Sequence, residues 1–324
     1  MKTLGATLNL FALTAVLAVA NTAFAQAPGI DSLPQYRPAN DVSGKITMIG
    51  SNTMSQLAAG WSDSFRRLHP DVEIDIDIRG ARDAVDTVIS GDATFGLLSR
   101  AIREDEVLSF QQKFGYQPKV LTPALERMAI FVHPSNPVKE LSLQQIADLF
   151  GENGKAKTWG DVGATGEWAS RPIALQGRGP TTGSTVYLQT VLLRGDDFKN
   201  SMVQQPNNIL LVKAVEANPN AIGYAGLLSQ TASVRAVALS VRSGLPAIAI
   251  DSIEADQGRY PLMRPLQLVI NQPPGQELPL VQSEFLKYVF SRLGQEGVVK
   301  GGFQPIPGQN ASFALGQLGL RERN

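Results

Sequence analysis

Residues 45–100 read KITMIG SNTMSQLAAG WSDSFRRLHP DVEIDIDIRG ARDAVDTVIS GDATFGLLSR, and their patterning decides the fold. Ile46-Thr47-Met48-Ile49 is a short apolar strand, closed by the turn Gly50-Ser51-Asn52-Thr53. Met54, Leu57, Ala58, Trp61, Phe65 and Leu68 then recur at helical spacing. His69-Pro70 stops this helix, because proline disfavours helical backbone in the residue before it. Val72, Ile74, Ile76 and Ile78 alternate with Glu73, Asp75 and Asp77, so the acidic residues form the solvated face of a strand and not a metal cluster. Gly80 leads into a second helix carrying Val85, Val88 and Ile89. Phe95-Gly96-Leu97-Leu98 is another buried strand, with Ser99-Arg100 at its C-terminal end. Strands alternating with helices predict an α/β fold with a largely parallel sheet, and in such sheets ligands sit at the carboxyl ends of the strands.

The alternation continues downstream. Met128 to Val132 reads as a strand, and Ser142 with Gln145 forms a capping box for a helix burying Ile146, Leu149 and Phe150. Ile173-Ala174-Leu175 precedes a glycine-rich turn and a helix with Val186, Val191 and Leu192. Ala221 to Tyr224 and Leu266 to Ile270 are further strands, and a last amphipathic helix carries Leu280, Val281, Phe285, Tyr288 and Val289. A chain of 324 residues, 43% hydrophobic and 18% charged, is long enough for two packed domains.

Composition and the N-terminus narrow the functional class. Lys2, the apolar run Leu8 to Val19 and Ala23-Phe24-Ala25 read as a cleaved signal peptide over 1–25, too short to span a bilayer. Residues 26–42 read as a flexible leader, and the tail 308–324 as a surface appendage. With no cysteine, disulfides, thiol catalysis and cysteine-ligated zinc are excluded. An exported protein follows, and a Gram-negative periplasm fits best. Lys plus Arg equals Asp plus Glu at 29 each, so no global field recruits nucleic acid or an anionic membrane, and anion recognition must be local. Only His69 and His133 are present, both beside prolines and without metal-ligand spacing. There is no Gly-x-Ser-x-Gly elbow, and the glycine-rich turn at 177–183 lacks the lysine of a P-loop. An enzyme is therefore not expected, nor a metal or cofactor. Trp61, Trp159 and Trp168 suit packing better than a sugar platform.

Three strand-to-helix turns share one chemistry. Gly50-Ser51-Asn52-Thr53, Gly80-Ala81-Arg82 and Gly177-Arg178-Gly179-Pro180-Thr181-Thr182-Gly183-Ser184 each place hydroxyl, amide or guanidinium groups at a helix N-terminus. Unpaired backbone N–H groups and the helix dipole favour an anion there. Ser99-Arg100 adds a hydroxyl and a guanidinium. A tetrahedral oxyanion needs such converging donors, with arginine as a two-pronged charged fork. Each turn taken singly is equally an ordinary helix cap.

In order along the chain, these segments resemble the substrate-binding proteins of phosphate ABC importers, from about Lys45 to Pro307. The resemblance rests on the Gly-Ser-Asn-Thr turn, on Val88 to Gly91 through Ser99-Arg100, on Phe131 to Pro137 and on Lys157-Thr158-Trp159. Arg178 with Thr182-Gly183-Ser184, Ala221 to Tyr224, Tyr260-Pro261-Leu262, Arg264-Pro265-Leu266, Gly294-Gln295-Glu296 and Gly302-Phe303 complete it. It implies a type II periplasmic-binding-protein fold: two lobes joined by a strand hinge, lobe 1 at 43–122 plus 240–307 and lobe 2 at 123–239. It further implies that inorganic phosphate is held in the cleft by Ser51, Asn52, Thr53, Arg82, Ser99, Arg100, Arg178, Thr182, Gly183 and Ser184, then released to a permease. A monomer is the default expectation. An oxyanion scavenger or sensor without a permease has the same signature. Two departures bear on selectivity. Arg100 stands where several family members carry a carboxylate able to accept the proton of hydrogen phosphate, and Ala81 stands where a serine donor is often found.

Overall fold

The computed structural model describes residues 30–320; the expected signal peptide over 1–25, the first leader residues 26–29 and the end of the tail, 321–324, lie outside them. The chain opens with β1 (Gly44–Gly50), α1 (Ser55–Leu68), β2 (Val72–Asp77), α2 (Ala84–Ser90), β3 (Phe95–Leu98) and α3 (Glu104–Phe114). A 14-residue strand β4 (Lys119–Val132) follows, then β5 (Glu140–Ser142), α4 (Leu143–Phe150), β6 (Ala174–Arg178), α5 (Gly183–Val191), β7 (Val203–Gln205) and α6 (Asn208–Glu216). The remainder is β8 (Ala221–Gly226), β9 (Arg235–Ala236), β10 (Ala238–Ser240), α7 (Ile253–Asp256), β11 (Met263–Ile270), α8 (Leu280–Val289), α9 (Arg292–Lys300), β12 (Gln304–Pro305) and α10 (Gly308–Gln317).

The elements form where their patterns place them. α1 turns Leu57, Ala58, Trp61 and Phe65 inward and ends at His69, whose N–H returns to Phe65 O at 2.9 Å. In the α4 capping box, the Ser142 side chain accepts from the Gln145 N–H, and Gln145 Oε1 accepts from the Ser142 N–H at 2.9 Å. The strands run in the order β2-β1-β3-β11-β4-β8-β6-β7. β1 is parallel to β2 and β3, and β6 is parallel to β7 and β8. Only the central strands β4 and β11 run antiparallel to their neighbours on this path.

Those two strands join two cores. One contains Ile46, Met48, Trp61, Phe65, Phe95 and Phe285; the other contains Phe131, Phe150, Trp159, Leu211 and Tyr224. The first part of β4 pairs with β11, while Met128–Val132 pairs with β8. The chain thus crosses from lobe 1 to lobe 2 near Glu126–Met128, a few residues beyond the expected boundary at 122–123. It returns at Leu262–Arg264 and not at 239–240. Leu239, Ile250, Ala255, Tyr260 and Leu262 all belong to the second core, and Tyr260 Oη donates to Met128 O at 3.1 Å. The aperiodic Ser-, Gly- and Pro-containing stretch of 240–252 carried no signal for this.

Both expectations for the chain ends need correction. From Ile30 the leader is packed, with Ile30, Leu33 and Val42 buried and Arg292 N–H donating to Pro34 O at 2.8 Å. The run from Gly308 is the helix α10, whose Ala311, Ala314 and Leu315, with Leu318 just beyond it, join the lobe 1 core. No helix among the described residues is long and apolar enough to cross a membrane.

Candidate functional site

The carboxyl ends of β1, β3 and β6 meet across the boundary between the lobes, around a cleft of about 660 Å³. Its lining includes Ser51, Asn52 and Thr53 after β1, Arg79 to Asp83 before α2, Ser99 after β3, Arg178 and Thr181 to Ser184 around the start of α5, and Pro206 to Ile209 at the start of α6. Similar hollows beside Gln272–Leu278 and Pro137–Gln145 gather no guanidinium group.

The first wall depends on a glycine. Gly50 has φ +146°, and a Cβ on it would overlap the carbonyl oxygen of Leu97, so only glycine lets the β1 turn pass this close to β3. Ser51 N–H then donates to Leu97 O at 2.9 Å. Ser51 Oγ accepts from the Thr53 N–H at 3.2 Å and donates to Ser99 Oγ at 2.8 Å. Ser51 and Ser99 are both buried.

The second wall is the N-terminus of α5. Thr182 caps it, accepting from Thr185 N–H and donating to Gly179 O at 3.0 Å. The N–H groups of Gly183 and Ser184 have no acceptor among the described residues, so they remain for a ligand. Gly183 touches the opposite lobe: a Cβ there would overlap Ser99 Oγ. The two lobes are therefore in contact at the cleft floor.

Arg178, half-buried at the end of β6, is aimed by Asn208 and Pro206. Its Nη1 donates to Asn208 Oδ1 at 2.6 Å and its Nη2 to Pro206 O at 2.9 Å, while the buried Nε has no partner. No carboxylate neutralises it among the described residues. Burial pushes the Arg178 pKa down, with Tyr224 opposing and the charge of Arg264 adding to it. Arg82 lines the cleft, exposed and without an ion pair among the described residues. Arg79 is paired with Asp77. Asp83 is the one carboxylate in the lining.

Arg100 is the expected site residue that the structure places elsewhere. It is 1% exposed and forms a two-pronged pair with Glu106, at 2.8 Å from Nη1 and 2.5 Å from Nη2. Its Nη2 also donates to Ala81 O at 3.3 Å, so it braces the Gly80-Ala81-Arg82 turn from behind. The chain bends at Ser99 and Arg100, so that Ser99 lines the cleft while Arg100 turns back to Glu106 and the Ala81 carbonyl. The other nine expected residues, Ser51, Asn52, Thr53, Arg82, Ser99, Arg178, Thr182, Gly183 and Ser184, all line one cleft.

Three groups were missed. Asn207 and Asn208 open α6, with Asn207 Oδ1 accepting from Leu210 N–H at 2.9 Å; the Pro206-Asn207 cap signature was there to find them. The third is Arg264, fully buried beneath the floor and paired with Glu126. Its segment carries part of the family resemblance, but no cap or turn signature marks it as a site residue, because its partners lie 80 to 211 residues away in sequence.

Comparison with known proteins agrees with this geometry. A PBP superfamily domain model matches residues 35–292. The chain is 38% identical over 315 residues to the phosphate-binding protein PstS of Pseudomonas aeruginosa strain PAO1, covering 95% of this chain and 98% of that one. It is 25% identical over 283 residues to PstS of Staphylococcus aureus strain MRSA252, covering 86% and 84%. An ABC-type phosphate transport receptor from Vibrio cholerae superposes with a TM-score of 0.65 at 20% identity, over 81% of this chain and all of that one.

Proposed function

Since the chain belongs to the PBP superfamily, among the relatives of the phosphate-binding protein PstS, we propose that it captures inorganic phosphate in the interlobe cleft and hands it to an ABC importer. One observation supports this most: donors from both lobes converge on a lining whose single carboxylate among the described residues, Asp83, forms an ion pair with none of them. Arg178 and Arg82 carry uncompensated charge, and the free N–H groups of Gly183 and Ser184 face the same space as Thr53. That set replaces the hydration shell of a tetrahedral anion from two sides. Ser51, Asn52, Thr53, Arg82, Ser99, Arg178, Thr182, Gly183 and Ser184 form the binding set, while Arg100 supports the Ala81 turn. The protein acts as a binder and not a catalyst, in keeping with relatives named as binding proteins. Cleavage after residue 25 and residence in the periplasm belong to the same reading, and the permease is its partner.

Titration calorimetry with phosphate, sulfate and arsenate side by side tests the ligand. Arg178→Ala is expected to weaken phosphate at least about 100-fold, since a half-buried charged fork is lost. A change of less than about threefold would show that the grip is misassigned. A scavenger or sensor without a permease predicts the same calorimetry, and differs in failing to support phosphate uptake when expressed with a permease.

A further inference from the structure

We propose that Arg264 is the positioning residue of this cleft. Held by Glu126 where the two crossover strands meet, it makes hydrogen-bond donors of Thr53 and Ser184, one hydroxyl from each lobe. This rests on the oxyanion-binding reading above.

Arg264 on β11 and Glu126 on β4 stand directly opposite each other in the antiparallel ladder, at the point where the chain passes between lobes. Both are buried. Glu126 Oε2 accepts from Arg264 Nε at 2.8 Å and from Nη2. A Cβ at Gly226 on β8 would overlap Glu126 Oε1, so the second lobe keeps a space for this carboxylate. The pair is neutral as a unit and adds little net attraction for an anion. Its contribution is orientation.

The remaining N–H groups of Arg264 supply it. Nη1 donates to Ser184 Oγ at 2.9 Å, and Nη2 donates to Thr53 Oγ1 at 3.3 Å. A guanidinium can only donate, so each hydroxyl must accept and turn its own hydrogen elsewhere. Neither hydroxyl has another partner among the described residues, and both line the cleft. Ser99 has the same polarity, accepting from Ser51. Thr53 belongs to the lobe 1 turn and Ser184 to α5 of lobe 2, so the two Arg264 bonds coexist only when the lobes are together. Arg264 thereby ties donor polarity to closure without touching the ligand.

A double-mutant cycle read by calorimetry with inorganic phosphate tests this, using Arg264→Lys, Thr53→Val and Ser184→Ala. Lysine keeps a charge for Glu126 but lacks the planar fork that reaches both hydroxyls. Wild-type protein that binds no oxyanion sinks the parent reading before any variant is needed. Given wild-type binding, Arg264→Lys is expected to weaken phosphate about tenfold or more. On top of Thr53→Val or Ser184→Ala its effect should shrink to about threefold or less. Equal losses in every background overturn the proposal, as does an unchanged affinity for Arg264→Lys. pH gives a second readout that a merely structural role would not move. Freed hydroxyls can accept, so the loss should be larger at about pH 8 than at about pH 5.5, where phosphate carries a second proton to donate. A loss that is the same at both values counts against donor polarity. If circular dichroism shows Arg264→Lys unfolded, Arg264→Gln with Glu126→Gln leaves no buried charge unpaired and takes its place in the cycle.

Discussion

Arg178 reaches the cleft with its Nη1 and Nη2 already committed to Asn208 and Pro206, so an anion finds it in place and need not order a long side chain. A protonated ligand also needs an acceptor beside this cationic wall. Asp83, half-buried in the lining, is the carboxylate available for that. Asp83→Asn is expected to lower phosphate affinity about tenfold while raising sulfate affinity, because hydrogen phosphate alone has a proton to give. Parallel shifts for the two anions in calorimetry would mean that Asp83 acts only through its charge. Arg100, the position where the sequence pointed to a selectivity problem, is spent on Glu106.

At the scale of elements, closure depends on how near α5 can approach β3. Gly183 has ordinary backbone geometry, so alanine there strains no dihedral; its methyl simply meets Ser99. Gly183→Ala should therefore weaken phosphate about tenfold with little change in the melting temperature of the unliganded protein. Small-angle scattering should show the liganded variant more open than wild type. Compaction equal to wild type would mean the contact is slack. A different helix carries stability: α10 inserts Leu315, 7% exposed, into the lobe 1 core. Leu315→Ala is expected to cost about 2–3 kcal/mol in denaturant unfolding and leave phosphate affinity nearly unchanged. A cost within about 0.5 kcal/mol would return α10 to the status of an appendage.

For the whole molecule, the packed leader gives stability a pH dependence. Tyr36 Oη donates to Glu284 Oε2 at 3.1 Å and lies 2.6 Å from His69 Nε2, pinning the leader to α1 and α8. Burial pushes the His69 pKa below its usual value, with Glu284 opposing only in part. The folded state thus favours neutral imidazole. Its contribution is fully present above the unfolded pKa of about 6.5 and is lost as pH falls through the lower folded value. The melting temperature should drop between about pH 7 and pH 5, and His69→Gln should flatten that slope. An equal slope in both proteins would remove His69 from the account.

Much of this was legible in the chain. Periodicity placed the helices and most strands, and cap chemistry marked the three turns that line the cleft, because a helix needs its first N–H groups satisfied wherever it lies. The crossover strand was half hidden. Pro123 interrupts the run from Lys119, and it is tolerated because the β4–β11 register slips beside it, between Leu266 and Leu268. Which of two adjacent residues faces the ligand, as with Ser99 and Arg100, depended on the direction of the strand end. That 240–262 belongs to lobe 2 depended on packing. Arg264 became part of the site only through partners far away in sequence, on two other segments and a facing strand. Local backbone preferences act over a few residues and can be read from them, whereas a buried charge takes its meaning from whatever the folded chain brings against it.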